Sequence, residues 1–85
     1  MAAEAIVRLF GPAREAAGTG SLRWPVPADG LRASELVAAL AASYPRLAPT
    51  LRVSRFLVND ALLTQLSHRV RPGDEFAVHP PYGGG

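Results

Sequence analysis

The 85-residue chain contains no cysteine and no lysine. Lack of cysteine excludes disulfides, thiolate metal ligands and cysteine nucleophiles together. Lack of lysine leaves all nine basic residues as arginine, so a chain activated at its own C-terminus would find no side-chain amine within itself to acylate. No run of about 18 apolar residues is present, and Met1 is not followed by a basic segment and an apolar signal core, so a cytoplasmic protein without a membrane partner is expected. Length is short as well. Eighty-five residues make one small domain that buries a little over 60% of its unfolded surface, which leaves no room for a wide catalytic cleft. Any chemistry is expected at an edge, or completed by a partner.

What charge there is does not cluster. The formal net charge is +2 and the isoelectric point 9.9, but the arginines stand singly among seven acidic residues, without the stripe that nucleic-acid binding needs. His68 and His79 lie eleven residues apart with no clustered carboxylate, so no metal site is expected. Ser34, Ser43, Ser54 and Ser67 have no nucleophile setting. Asp74 and Glu75 are adjacent carboxylates, but successive strand residues point to opposite faces; a turn-forming role for Asp74 is expected instead.

The elements are legible from period. Ala5 to Phe10 alternates as a strand, with Val7 and Leu9 on one face and Ile6, Arg8 and Phe10 on the other. Gly11-Pro12 ends it, and Ala13 to Ala17 makes a short helical turn closed by Gly18. Leu22 to Val26 alternates again, with Pro25 suited to an edge or a strand end. From Ala33 to Ser43 the period becomes helical: Leu36, Val37, Leu40 and Tyr44 share a stripe, Ser34 is the expected cap, and Pro45 is the stop. Arg46 to Leu51 reads as an irregular or short helical connection. Arg55 to Val58 and Ala61 to Leu63 flank an Asn59-Asp60 turn, and Arg71-Pro72-Gly73-Asp74 turns the chain into a last strand, Glu75 to His79. In that strand Phe76 and Val78 are expected inward, and Glu75, Ala77 and His79 outward. One long helix against a mixed sheet of about five strands, with a short helix after the first strand, is an α+β, β-grasp (ubiquitin-like) arrangement.

The chain closes on Pro80-Pro81-Tyr82-Gly83-Gly84-Gly85. Three terminal glycines arise by composition in roughly 1 chain in 3,000 at a glycine frequency of about 7%. Without Cβ atoms such a segment enters a narrow cleft, and its reactive group is the Gly85 carboxylate. The expected division is a domain over residues 1–79 and a flexible Gly-Gly tail over residues 80–85. Six residues span at most about 20 Å when extended. The prolines stiffen the base.

Val7-Arg8-Leu9-Phe10 with Ala13-Arg14-Glu15-Ala16-Ala17-Gly18, then Glu35 to Leu40 through Tyr44-Pro45, then Val58-Asn59, Pro72 to Ala77 and Pro80 to Gly85, together resemble the MoaD/ThiS sulfur-carrier family, which includes the small subunit of molybdopterin synthase. The chain departs from the family pattern at His79, Tyr82 and Gly83. The resemblance spans nearly the whole chain. It implies a carrier and co-substrate, not a stand-alone enzyme. An E1-like (MoeB-like) adenylyltransferase would use ATP to adenylate Gly85, with Gly84 supporting it, and a sulfur donor such as a persulfide would displace AMP and leave a thiocarboxylate. That sulfur would then attack a pterin precursor held by a MoaE-like large synthase subunit, in molybdenum cofactor biosynthesis. No cofactor is expected to be bound by the chain itself. Alternatives are a carrier for thiazole, cysteine or transfer-RNA thiolation, or a ubiquitin-like protein modifier.

The partner-binding residues implied are Phe10, Arg14, Leu62, His79, Pro80, Pro81, Tyr82 and Gly83. Phe10 either packs under the short helix or joins Leu62 and His79 in a docking patch, which strand parity and the family pattern favour. Arg14 and Glu15 either solvate the short helix or form salt bridges to a partner.

Overall fold

A computed structural model describes residues 3–81. Alternation near the N-terminus produces strand β1, Glu4–Leu9, with Ala5, Val7 and Leu9 buried and Ile6 and Arg8 half-buried on the opposite face. Helix α1, Gly11–Ala17, begins with proline in its first turn, where no amide donor is required, and ends at Gly18 (φ 79°), whose N–H donates to the Arg14 carbonyl. Strand β2, Ser21–Pro25, runs antiparallel to β1 along the sheet edge, where Pro25 forfeits no ladder bond.

Next come β3, Leu31–Arg32, and α2, Ala33–Ser43, which turns Ala33, Leu36 and Leu40 into the core. A 3-10 turn at Pro45–Leu47 leads into α3, Ala48–Val53, each burying one leucine. The remaining strands are β4, Arg55–Val58; β5, Ala61–Leu62; β6, Arg69–Val70; and β7, Glu75–His79. The main sheet is ordered β2-β1-β7-β4-β5, with β1 and β7 parallel and every other pair antiparallel. Phe76, the largest fully buried side chain, sits on the inner face of β7 and stacks on Phe56 with ring centroids 5.3 Å apart.

Three local features differ from the sequence reading. Helix α2 is not capped by Ser34. Its first turn is satisfied instead by the Glu35 Oε1 accepting from the Arg32 amide at 3.1 Å, and by the Ala33 and Ser34 amides donating to the carbonyls of His68 and Leu66. Those bonds pin the 66–68 segment to the helix and set up the β3–β6 ribbon, whose strands of two residues are too short to show a period. Ala77, expected outward, is only 7% exposed, because its small side chain lies between its register partners Arg8 and Leu57. Pro80, counted with the tail, is buried: it continues the inward parity of Phe76 and Val78, so the packed body reaches one residue past β7.

The β4–β5 turn has positive φ at Asn59 (50°) and Asp60 (68°), the left-handed pair that a two-residue hairpin requires. Asn59 also joins this turn to the start of β7. Its Oδ1 accepts from the Glu75 amide (2.9 Å) and its Nδ2 donates to Asp74 Oδ1 (3.0 Å), while Asp74 Oδ2 accepts from the Arg71 amide (2.8 Å). Asp74 thus forms a turn, as expected.

Replacing Phe76 by alanine is expected to cost about 3–5 kcal/mol, enough to unfold much of a domain this small. Asn59→Ala is expected to cost about 1–3 kcal/mol through lost side-chain bonds and strain at its positive φ. Urea denaturation followed by circular dichroism measures both.

Candidate functional site

Parity divides the sheet. Residues that pair across it fall on one face, so the face away from the helices is laid out by register. Leu62, Leu57, Ala77, Arg8 and Ser21 form one row across the five strands; Glu75, Ile6 and Arg23 form the next, towards Glu4 and Pro25. The row nearest the C-terminal end of β7 contains Arg55 and His79, which are register partners.

Phe10 completes that row. It follows β1 with extended backbone angles (φ −124°, ψ 155°), so it keeps strand parity while its carbonyl accepts from the Ala13 amide at the start of α1. Its ring stacks on His79 with centroids 4.4 Å apart and an interplanar angle of 18°. Phe10 therefore lies half-buried on the outer face and not beneath α1.

Leu62 is on the same face, 56% exposed, one strand beyond Leu57. An apolar strip of Leu62, Leu57 and Ala77 thus leads towards the aromatic stack. Its flatness follows from the alanine at its centre. Val53, Arg55, His79, Pro80 and Pro81 enclose a notch of about 300 Å³ where the chain leaves the sheet. Pro80 seats the chain and Pro81 is exposed. Tyr82, Gly83, Gly84 and Gly85 lie outside the described residues.

Arg14 does not join this group. A Cβ on Gly20 would meet its Nε at 3.4 Å, so the guanidinium lies across Gly20 beside the β1–β2 edge. Sequence reasoning missed Arg55 and Leu57, whose shared parity was visible but whose neighbours depend on register. Among the described residues no group of three or more His, Cys, Asp or Glu side chains could hold a metal ion, and no helix is long and apolar enough to cross a membrane. A wider groove beyond β5 is lined by Leu63, Gln65, His68, Arg69 and Asp74 among others, with the Asp74 carboxylate held by Asn59 and the Arg71 amide. The outer face, with its apolar strip and aromatic stack, is suited to contact.

A mixed sheet with its first and last strands parallel at the centre and one long helix across it defines a β-grasp, ubiquitin-like protein. Residues 7–85 match the ThiS family. The chain is 30% identical over 80 residues to the molybdopterin synthase sulfur carrier subunit of Dictyostelium discoideum, covering 93% of each chain. Among solved structures it is similar to small archaeal modifier protein 1 from Methanosarcina acetivorans, with a TM-score of 0.81 and 26% identity over 100% of this chain and 99% of that one. It is also similar to a chain of the complex of subunits 1 and 2 of molybdopterin-converting factor from Helicobacter pylori, with a TM-score of 0.68 and 27% identity over 96% of this chain and 99% of that one. The chain belongs to the ThiS family, whose members are small sulfur carriers.

The stack should be measurable on its own. A double-mutant cycle of Phe10→Ala and His79→Ala, read by urea denaturation, is expected to give a coupling of about 0.5–1.5 kcal/mol. Additive single losses would mean that the rings do not support each other.

Proposed function

We propose that this chain is the sulfur-carrying small subunit of a molybdopterin synthase, working through a carboxylate at Gly85. The family match over residues 7–85 carries this reading, because it extends through the Gly-Gly ending. The named function of the Dictyostelium relative supports the pathway, and the two-subunit Helicobacter complex supports a MoaE-like large subunit as partner.

A glycine carboxylate is a poor electrophile. An E1-like, MoeB-like adenylyltransferase joins it to the AMP portion of ATP and releases pyrophosphate, which supplies a leaving group. A persulfide donor displaces AMP to form an acyl disulfide, a thiol cleaves its S–S bond and leaves as a disulfide with the donor sulfur, and the thiocarboxylate released is the nucleophile towards a pterin precursor on the large subunit. The chain supplies the reacting atom and its carriage, while the pocket, acids and bases come from partners. It is a co-substrate of one enzyme and a subunit of another.

Residues 80–85 act as a delivery arm on a domain handle. With Pro80 packed in the body, the five residues from Pro81 to Gly85 reach at most about 17 Å from it. The outer face, with Phe10, His79, Leu57 and Leu62, is the docking surface, and Pro81, Tyr82 and Gly83 enter the partner's cleft ahead of Gly84 and Gly85. Arg14, at the β2 edge, contacts the rim.

A second reading has its own support: the likeness to small archaeal modifier protein 1 favours attachment of Gly85 to amines of other proteins. Both readings begin with adenylation. Deleting Gly85 retracts the carboxylate by about 3.5 Å, and is expected to lower pyrophosphate exchange by the adenylyltransferase at least ~100-fold without changing the melting temperature. Exchange at the full rate by the truncated chain would contradict both. Covalent adducts to other proteins in place of sulfur transfer would select the modifier. Leu62→Arg is expected to change folding stability by less than about 0.5 kcal/mol, while weakening the large-subunit complex at least ~tenfold in a calorimetric titration.

A further inference from the structure

We propose that the large-subunit surface receiving the arm carries a carboxylate set against Arg55, and that this ion pair fixes the rotational orientation of the docked domain. The proposal rests on the sulfur-carrier reading and adds the residue that orients the complex. It starts from an imbalance along the outer face. At the end remote from the arm the charges offset one another: Arg8 lies 3.6 Å from Glu75, and Arg23 sits in the same row as Glu75, next to Glu4 and Pro25. At the arm end stands Arg55, exposed, with no carboxylate within salt-bridge distance among the described residues.

Its neighbours are His79, its partner in register, and Val53, Pro80 and Pro81 around the notch. None of them is an anion.

Arg55 cannot be left out of a docked interface. A partner that covers the Phe10–His79 stack also covers the residue paired with His79, and so removes water from the guanidinium. A desolvated cation without a counter-charge is strongly unfavourable, so a surface that fits this face must supply one. The planar fork of arginine takes a carboxylate in a two-pronged geometry, which constrains angle as well as distance. The apolar strip from Leu62 to Ala77 gives area but little direction, whereas one directional pair beside Pro80 and Pro81 sets where the arm points. One guanidinium beside His79, Val53, Pro80 and Pro81 is unlike the basic stripe that tracks a phosphate backbone, so the partner is a protein.

The test uses the full chain with the MoaE-like large subunit of the same organism, by calorimetry at about 0.05 M and about 0.3 M salt. Arg55→Glu is expected to weaken the complex by at least about tenfold, and Arg55→Ala to flatten its salt dependence. Arg55→Lys is expected to fall between Arg55→Ala and the parent chain. Arg46→Glu makes the same charge change on an exposed residue of the helical layer and is expected to shift affinity less than about twofold, which separates a local pair from general steering. Recovery of Arg55→Glu binding by one Asp or Glu to Arg change in the partner would identify the carboxylate. If Arg55→Glu binds the large subunit like the parent chain while Leu62→Arg does not bind, the inference falls and the docking reading stands. If the parent chain does not bind the large subunit, the molybdopterin-synthase reading falls and takes the inference with it. Melting temperatures of all variants confirm folding.

Discussion

The parallel pairing of β1 with β7 is the constraint on which the rest of the molecule depends. It joins the two ends of the chain at the centre of the sheet, with Ile6 to Leu9 in register with Glu75 to Val78. Two antiparallel neighbours then attach outside this pair, β2 beside β1 and β4 beside β7. The helices fall on one face because the intervening chain must cross from one side of the pair to the other. β7 is therefore covered on the inner face and flanked on both edges, which accounts for the burial of Phe76, Ala77 and Val78 in succession. It also decides where the C-terminal segment departs: from the end of the central strand β7, beside Phe10 and not from a loose edge.

Strength and reactivity are thus assigned to different parts. The core is made by apolar burial alone, with no buried polar or charged side chain among the described residues. The Arg8–Glu75 contact is 3.6 Å long between side chains that are each 44% exposed, so it contributes little to stability. A rigid body of this kind does not need to change shape to deliver an atom. It needs one face that a partner recognises and one segment thin enough to enter a cleft. The absence of lysine suits such an agent, because an activated carboxyl has no side-chain amine in its own chain to consume it.

Much of this was legible in the sequence because it depends on period and punctuation. Helix α2 and strands β4 and β7 have the bounds that their patterns imply, since Pro45 stops α2, the Asn59-Asp60 turn ends β4, Gly73 and Pro80 bracket β7, and a single apolar stripe or alternation fills each. What was not legible depends on pairing. The β3–β6 ribbon consists of two residues against two, too few for alternation, and exists because the 66–68 carbonyls serve the first turn of α2. For the same reason Ser34 is not needed as a cap. Ala77 faces outward as its parity implies, and its low exposure is explained only by its register partners Arg8 and Leu57. The position of Phe10 was open between two faces and is decided by its extended backbone and its stack on His79. Arg55 and Leu57 acquire meaning only once β4 is set against β7.

The proposed thiocarboxylate at Gly85 is tested most directly by the intact mass of the full chain after incubation with the adenylyltransferase, ATP and a sulfur donor. The expected product is heavier by the replacement of one oxygen with one sulfur, carried on the last residue, and it reverts on hydrolysis. An unchanged mass under conditions in which the same enzyme charges its own established carrier would contradict sulfur chemistry at this terminus.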